Sequence, residues 1–141
     1  MILLDTDHLS IVLDARGMYH DELVERLRTC GDTLAIPIIS IEEQFKGWLA
    51  QINRTRDVEQ QIPAYERLQR LIEFFRKWQI QRFDSQAAAM FKSSRKQKIR
   101  IGTQDLKIAS IAVTQNALLL SANLGDFRQV PGLRVENWLE R

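Results

Sequence analysis

Three aliphatic residues running into an acid, Ile2-Leu3-Leu4-Asp5, constrain this chain more than any other stretch. A short, unbroken apolar run reads as a strand buried on both faces, the kind found at the centre of a parallel sheet. Ligands of open α/β sheets bind beyond the carboxyl ends of such strands. Asp5 therefore stands where chemistry is done, and a carboxylate there needs compensation for the water it loses.

The rest of the chain alternates strand-like and helix-like segments. After the strand at 2–4, the spacing predicts a helix over 22–29 ended by Gly31, and a strand over 33–38 whose Pro37 belongs at an edge or a strand end. Ser40-Ile41-Glu42-Glu43 matches the S-x-x-E capping box and predicts a helix running past Trp48 and Ile52. Pro63 is expected to begin the next helix, with Leu68, Leu71, Ile72, Phe75 and Trp78 on a stripe that suits a core or a dimer contact. Then come a short strand at 80–83, a helix over 86–92 capped by Asp84 or Ser85, and a helix over 104–115. A continuous apolar strand at 117–120 and an alternating edge strand at 134–138 close the chain. That order predicts a three-layer α/β/α sandwich around a mostly parallel sheet of about five strands, in a single domain over 1–141.

Composition excludes several classes. With 141 residues, 45% hydrophobic and 27% charged, the chain resembles an ordinary globular protein. No apolar run approaches the ~20 residues of a membrane span, and no signal-peptide pattern opens the chain, so a cytoplasmic protein is expected. The lone Cys30 permits no internal disulfide and is expected to be inert buried filler. A net charge of +2 argues little, but its distribution is uneven. Between Ser85 and Gln104 there is no acid, while Lys92, Arg95, Lys96, Lys98 and Arg100 crowd together. They suit either a solvated helix end or a phosphate-binding edge.

Acids recur at places that such a sheet brings to one rim. Asp5 ends the first strand, and Glu43 is expected in the first turn of the helix after the second. Asp105 opens the helix before the 117–120 strand, and Asp126 follows the loop after it. Each also has a structural reading: Glu43 as the capping-box partner of Ser40, Asp105 as a helix-dipole complement, Asp126 as a turn residue, Asp7 as the cap of a helix beginning at Leu9. His8 is expected to be a cap or surface residue. Two carboxylates ~4 Å apart repel by about 4 kcal/mol at an effective dielectric of 20, so four in one pocket protonate or attract a cation. Oxygen ligands without a His/Cys cluster suit Mg²⁺ or Mn²⁺ rather than zinc.

The ordered motifs resemble those of PIN-domain nucleases, in particular VapC-type toxins of toxin–antitoxin pairs. Asp5-Thr6-Asp7 is similar to the family's opening Asp-Thr-Asn, and Glu43-Gln44-Phe45-Lys46-Gly47 to its E-x-x-x-G helix. The stretch from Gly102 through Asp105 to Ile108-Ala109 is similar to its G-x-x-D-x-x-I-A segment. Ser121-Ala122-Asn123-Leu124-Gly125-Asp126-Phe127 resembles its T-x-N-x-x-D-F, and the 130–138 stretch its closing strand. Asp7 departs from the usual Asn and Ser121 from the usual Thr.

The resemblance implies that Asp5, Glu43, Asp105 and Asp126 form an acidic pocket for Mg²⁺ or Mn²⁺, supported by Thr6, Asp7, Asn123 and Ser121. It implies metal-assisted endoribonucleolytic cleavage of RNA, with Asp5 and Asp105 as main ligands and the 92–100 cations on flanking phosphates. It further implies a homodimer and a small VapB-like antitoxin. Two rival readings remain at this point. One is a haloacid-dehalogenase-like phosphatase, which also opens with an apolar strand and D-x-D and would use Asp5 as nucleophile. The other is a catalytically inactive RNA-binding module of the same fold.

Overall fold

A computed structural model describes residues 1–139. Its five strands are β1 (Ile2–Leu4), β2 (Leu34–Pro37), β3 (Gln79–Gln81), β4 (Leu118–Leu120) and β5 (Arg134–Glu136). All are parallel, in the order β3-β2-β1-β4-β5, with Leu3 paired to Ala35 on one side and to Leu119 on the other. Seven helices connect them: α1 (Thr6–Leu13), α2 (His20–Thr29), α3 (Ile38–Arg54), α4 (Val58–Phe75), α5 (Ser85–Lys96), α6 (Thr103–Thr114) and the single turn α7 (Leu124–Phe127).

The aliphatic triplet explains the layering. In a strand successive side chains face opposite ways. Leu3 accordingly packs with Ala87, Leu106, Ile108, Ile111 and Phe127 beneath α5 and α6. Ile2 and Leu4 pack with Leu9, Leu23, Leu27, Ile41, Leu71 and Phe75 beneath α1 to α4. Leu3 and Leu4 are wholly buried, which is why no polar residue interrupts the run.

The chain lays β1, β2 and β3 outward in one direction, then returns through α5 and α6 to place β4 on β1's free side. Strand order thus reverses between β1 and β4. The carboxyl ends of β1 and β4 therefore mark the switch point, the usual ligand position in open α/β sheets. Among the described residues no helix is long and apolar enough to cross a membrane.

Several local expectations are corrected. The capping box does not form: α3 starts at Ile38 directly from β2, with no side-chain cap at Pro37. Ser40 is already inside the helix, and its buried hydroxyl donates to the Leu4 carbonyl at 3.2 Å. Glu43 therefore lies in the second turn. Asp57 caps α4 by accepting from the Glu59 N–H at 3.0 Å, so that helix begins five residues before Pro63 and carries the proline inside. Asp5, not Asp7, is the N-cap of α1, accepting from the Thr6 N–H at 2.7 Å. Cys30 is exposed rather than buried. His8 is fully buried rather than a cap or surface group.

A candidate metal centre at the switch point

Asp5 is set by the strand that precedes it and the helix that follows. Its N–H donates to the Leu120 carbonyl at 3.0 Å, tying the β1 exit to β4. One carboxylate oxygen caps α1, and the other accepts from the Ser121 hydroxyl at 2.7 Å. Ser121 occupies the equivalent exit of β4. Burial pushes the Asp5 carboxyl up to about 7; the Ser121 hydrogen bond opposes this, and the charges of Asp7 and Asp105 add to it.

The other acids come from the surrounding helices. Thr6 donates its hydroxyl to Glu43, reaching from α1 to α3. Asp105 sits in the first turn of α6, anchored by the buried Leu106 beside it. Asp126 is fixed by its neighbour Phe127, wholly buried under the sheet. Between them stands Asn123, whose amide lies 3.3 Å from Asp105 Oδ2 and 3.1 Å from Asp126 Oδ2. Asp105 is held above the ordinary carboxylate range by burial first, then by the charges of Glu43 and Asp126, against the Asn123 hydrogen bond. All four acids thus border one crevice.

Asp7 behaves differently. Its Oδ1 accepts from the His8 N–H and meets His8 Nδ1, both at 2.6 Å, while Oδ2 accepts from the Ala122 N–H at 2.8 Å. Burial works against its charge, yet the bonds from His8 and Ala122 outweigh it and keep the carboxyl below its usual range. Asp7 is a staple between α1 and the β4 exit. Sequence reasoning missed this role and that of His8, because nothing local signals that a histidine beside an acid will be enclosed.

The basic segment divides. Lys92, Lys96, Lys98 and Arg100 are exposed. Arg95 is not a free cation: its guanidinium donates at 3.0 Å to the carbonyls of both Ile99 and Ile101 and lies 5.3 Å from the centre of the Phe91 ring. It closes the turn between α5 and α6, where Lys98 adopts a left-handed φ of 62°.

Donor chemistry decides what the crevice accepts. Asp5, Glu43, Asp105, Asp126 and the Asn123 amide offer oxygens, with no thiolate at hand, which suits a hard divalent cation. Among the described residues no three Asp, Glu, His or Cys side chains converge tightly enough to cage an ion. An open arrangement of carboxylates fits Mg²⁺, which keeps several waters and needs only one or two direct carboxylate ligands. The carboxyls of Asp5 and Asp105 are raised by burial first and by neighbouring acids second.

Comparison with known proteins agrees with this architecture. The chain is 26% identical over 141 residues to Ribonuclease VapC2 of Haemophilus influenzae, an alignment covering 97% of each. A shorter match to Ribonuclease VapC2 of Rickettsia felis is 47% identical over 38 residues, spanning only 28% of that protein. Among solved structures, VapBC-1 from nontypeable H. influenzae superposes with a TM-score of 0.70 at 25% identity, covering 99% of this chain and 100% of that one. VapBC2 from R. felis, solved bound to a promoter DNA fragment, gives 0.67 at 24% identity, covering 98% and 99%. No family model matches. The parallel five-stranded sheet and its flanking helices are the fold of these VapBC structures. In sequence and in structure the chain is similar to VapC ribonucleases and to VapBC complexes.

Proposed function

We propose that this protein is the ribonuclease of a toxin–antitoxin pair, cleaving RNA phosphodiester bonds with Mg²⁺ or Mn²⁺ held by Asp5, Glu43, Asp105 and Asp126. What supports this reading is that Asp105 feels the charges of Glu43 and Asp126, and Asp5 that of Asp105, at the β1–β4 switch point of a fold shared with VapBC complexes. When bound, the cation would supply Lewis-acid polarisation of the scissile phosphate and neutralise charge developing on the leaving oxygen. The protein's own part is positional. Ser121 fixes one oxygen of Asp5, Thr6 orients Glu43, and Asn123 holds Asp105 and Asp126 at a set spacing. The exposed Lys92, Lys96, Lys98 and Arg100 would bind flanking phosphates. The setting is cytoplasmic, the substrate an exposed single-stranded segment of RNA, where unpaired bases can be splayed for recognition, and the regulator a VapB-like protein.

A phosphatase of the haloacid-dehalogenase kind needs its second aspartate free to act as an acid. Here Asp7 is committed to His8 and Ala122, so that reading loses its proton donor.

The test is Asp5→Asn, which keeps the oxygen that caps α1 while removing the charge. Mg²⁺-dependent cleavage of RNA should fall by at least about 100-fold, with the circular dichroism spectrum unchanged. Undiminished cleavage by that variant removes Asp5 from the mechanism.

A further inference from the structure

His8 is wholly buried, yet no step proposed above uses it. Its two ring nitrogens face different partners. Nε2 lies 3.1 Å from the main-chain N–H of Trp138, and Nδ1 lies 2.6 Å from Asp7 Oδ1. A peptide N–H only donates, so Nε2 must present its lone pair. The ring proton is thereby confined to Nδ1, where it points at a carboxylate that only accepts. The opposite tautomer would set donor against donor at Trp138 and acceptor against acceptor at Asp7.

The segment that selects this tautomer is itself pinned. Arg26 of α2 lies 4.0 Å over the Trp138 ring, and the indole N–H donates to Glu136 at 2.7 Å. From Asp7 the connection continues inward. Asp7 Oδ2 accepts from the Ala122 N–H, and the preceding residue, Ser121, donates to Asp5. The stretch after β5 is therefore linked to Asp5 through one imidazole, one staple and one loop.

We propose that His8 is a positioning residue of this site, a ring held by Trp138 as its Nδ1–H tautomer so that Asp7 fixes the β4 exit against Asp5. The proposal rests on the nuclease reading for its kinetic consequence but not for its geometry. Ligand orientation by an outer hydrogen-bonding partner is a general device, and losing one such partner lowers activity about 10–100-fold.

Two substitutions separate positioning from mere core filling. An Asn amide nitrogen sits near the place of Nδ1 and donates without needing a tautomer, whereas a Gln amide oxygen reaches the place of Nε2 and leaves Asp7 unserved. His8→Gln should lower kcat about 10–100-fold with KM little changed, and His8→Asn should recover to within about threefold of wild type. A purely structural role predicts instead that both variants lose activity in proportion to lost melting temperature. Two readouts need no catalysis. Long-range ¹H–¹⁵N correlation spectra of the full chain should show a protonated Nδ1 and a bare Nε2. Amide exchange at Ala122 should quicken at least about tenfold in His8→Gln and not in His8→Asn.

A protonated Nε2, or unchanged Ala122 exchange in both variants, overturns the proposal. So does wild-type kcat in His8→Gln. Should the wild type cleave no RNA while the tautomer and exchange results hold, the nuclease reading fails and the positioning stands.

Discussion

At the scale of single residues, Asp5 makes folding depend on pH in a direction opposite to that of a paired carboxylate. Its folded value, about 7, lies above the ordinary 3.8, so the folded state binds the extra proton. The penalty for ionising it is absent below pH 4, grows as pH rises, and is complete above about 7. The metal-free protein should lose on the order of 3–4 kcal/mol across that window, and Asp105 adds in the same sense. Denaturant unfolding from pH 4 to 8 checks this, and Asp5→Asn should flatten the slope. Asp7, lowered rather than raised, acts only below pH 4, where its stabilisation disappears as it protonates. Arg95 and its lysine neighbours give a second contrast. Arg95→Ala removes two bonds to main-chain carbonyls and should destabilise the fold by about 1–3 kcal/mol. Charge reversal at Lys96 and Lys98 should leave stability almost untouched while weakening RNA binding and flattening its salt dependence. An unchanged salt slope returns those lysines to the role of a solvated helix end. Sequence alone made Asp5 legible, because an apolar strand ending in acid has few bland explanations. Arg95 and His8 were not legible, since their partners are a folded turn and a main-chain N–H 130 residues away.

Elements carry a different kind of information. Helix α4 has two apolar faces. Leu71 and Phe75 point inward, while Val58, Ile62, Tyr65 and Ile72 lie between 49% and 76% exposed along the other side. A stripe at that spacing reads equally as core or as contact surface, and the structure divides it between the two. Exposed aliphatic and aromatic residues in such a row would suit a contact between two copies. If that surface joins two copies, Ile62→Asp with Tyr65→Asp should convert a dimer to a monomer in light-scattering measurements, with little change in helix content. A dimer that survives both substitutions locates its interface elsewhere. The starts of α3 and α4 show where local pattern misleads. Ser40 and Glu43 have capping-box spacing, but their side chains are claimed by the Leu4 carbonyl and by Thr6. Pro63 tolerates the second turn of α4 because Asp57 has already nucleated the helix. Strand cores are read more easily, since burial on both faces leaves only apolar residues to choose from.

For the whole molecule, function follows from topology more than from any motif. Because β4 returns to the free side of β1, residues more than a hundred positions apart, Asp5 and Ser121, share a hydrogen bond. The same reversal leaves room for α3 and α6 to bring Glu43 and Asp105 toward that pair, so the apolar core and the acidic crevice are two results of one strand order. The order was readable from alternating segments; the spacing of the oxygens was not, since it depends on Asn123 and Thr6 rather than on the acids. A crevice that gathers uncompensated carboxylates should be the least stable part of the metal-free protein and should gain most from a cation. Binding to the folded state alone stabilises by about 2.7 kcal/mol at a ligand concentration 100 times Kd. Addition of Mn²⁺ at neutral pH should therefore raise the melting temperature, and the gain should shrink in Asp5→Asn and in Asp105→Asn. At pH 4, where Asp5 is protonated, the wild type should show less gain, because proton and cation would compete for its oxygens. A melting temperature indifferent to Mn²⁺ at both pH values would overturn the proposed metal site.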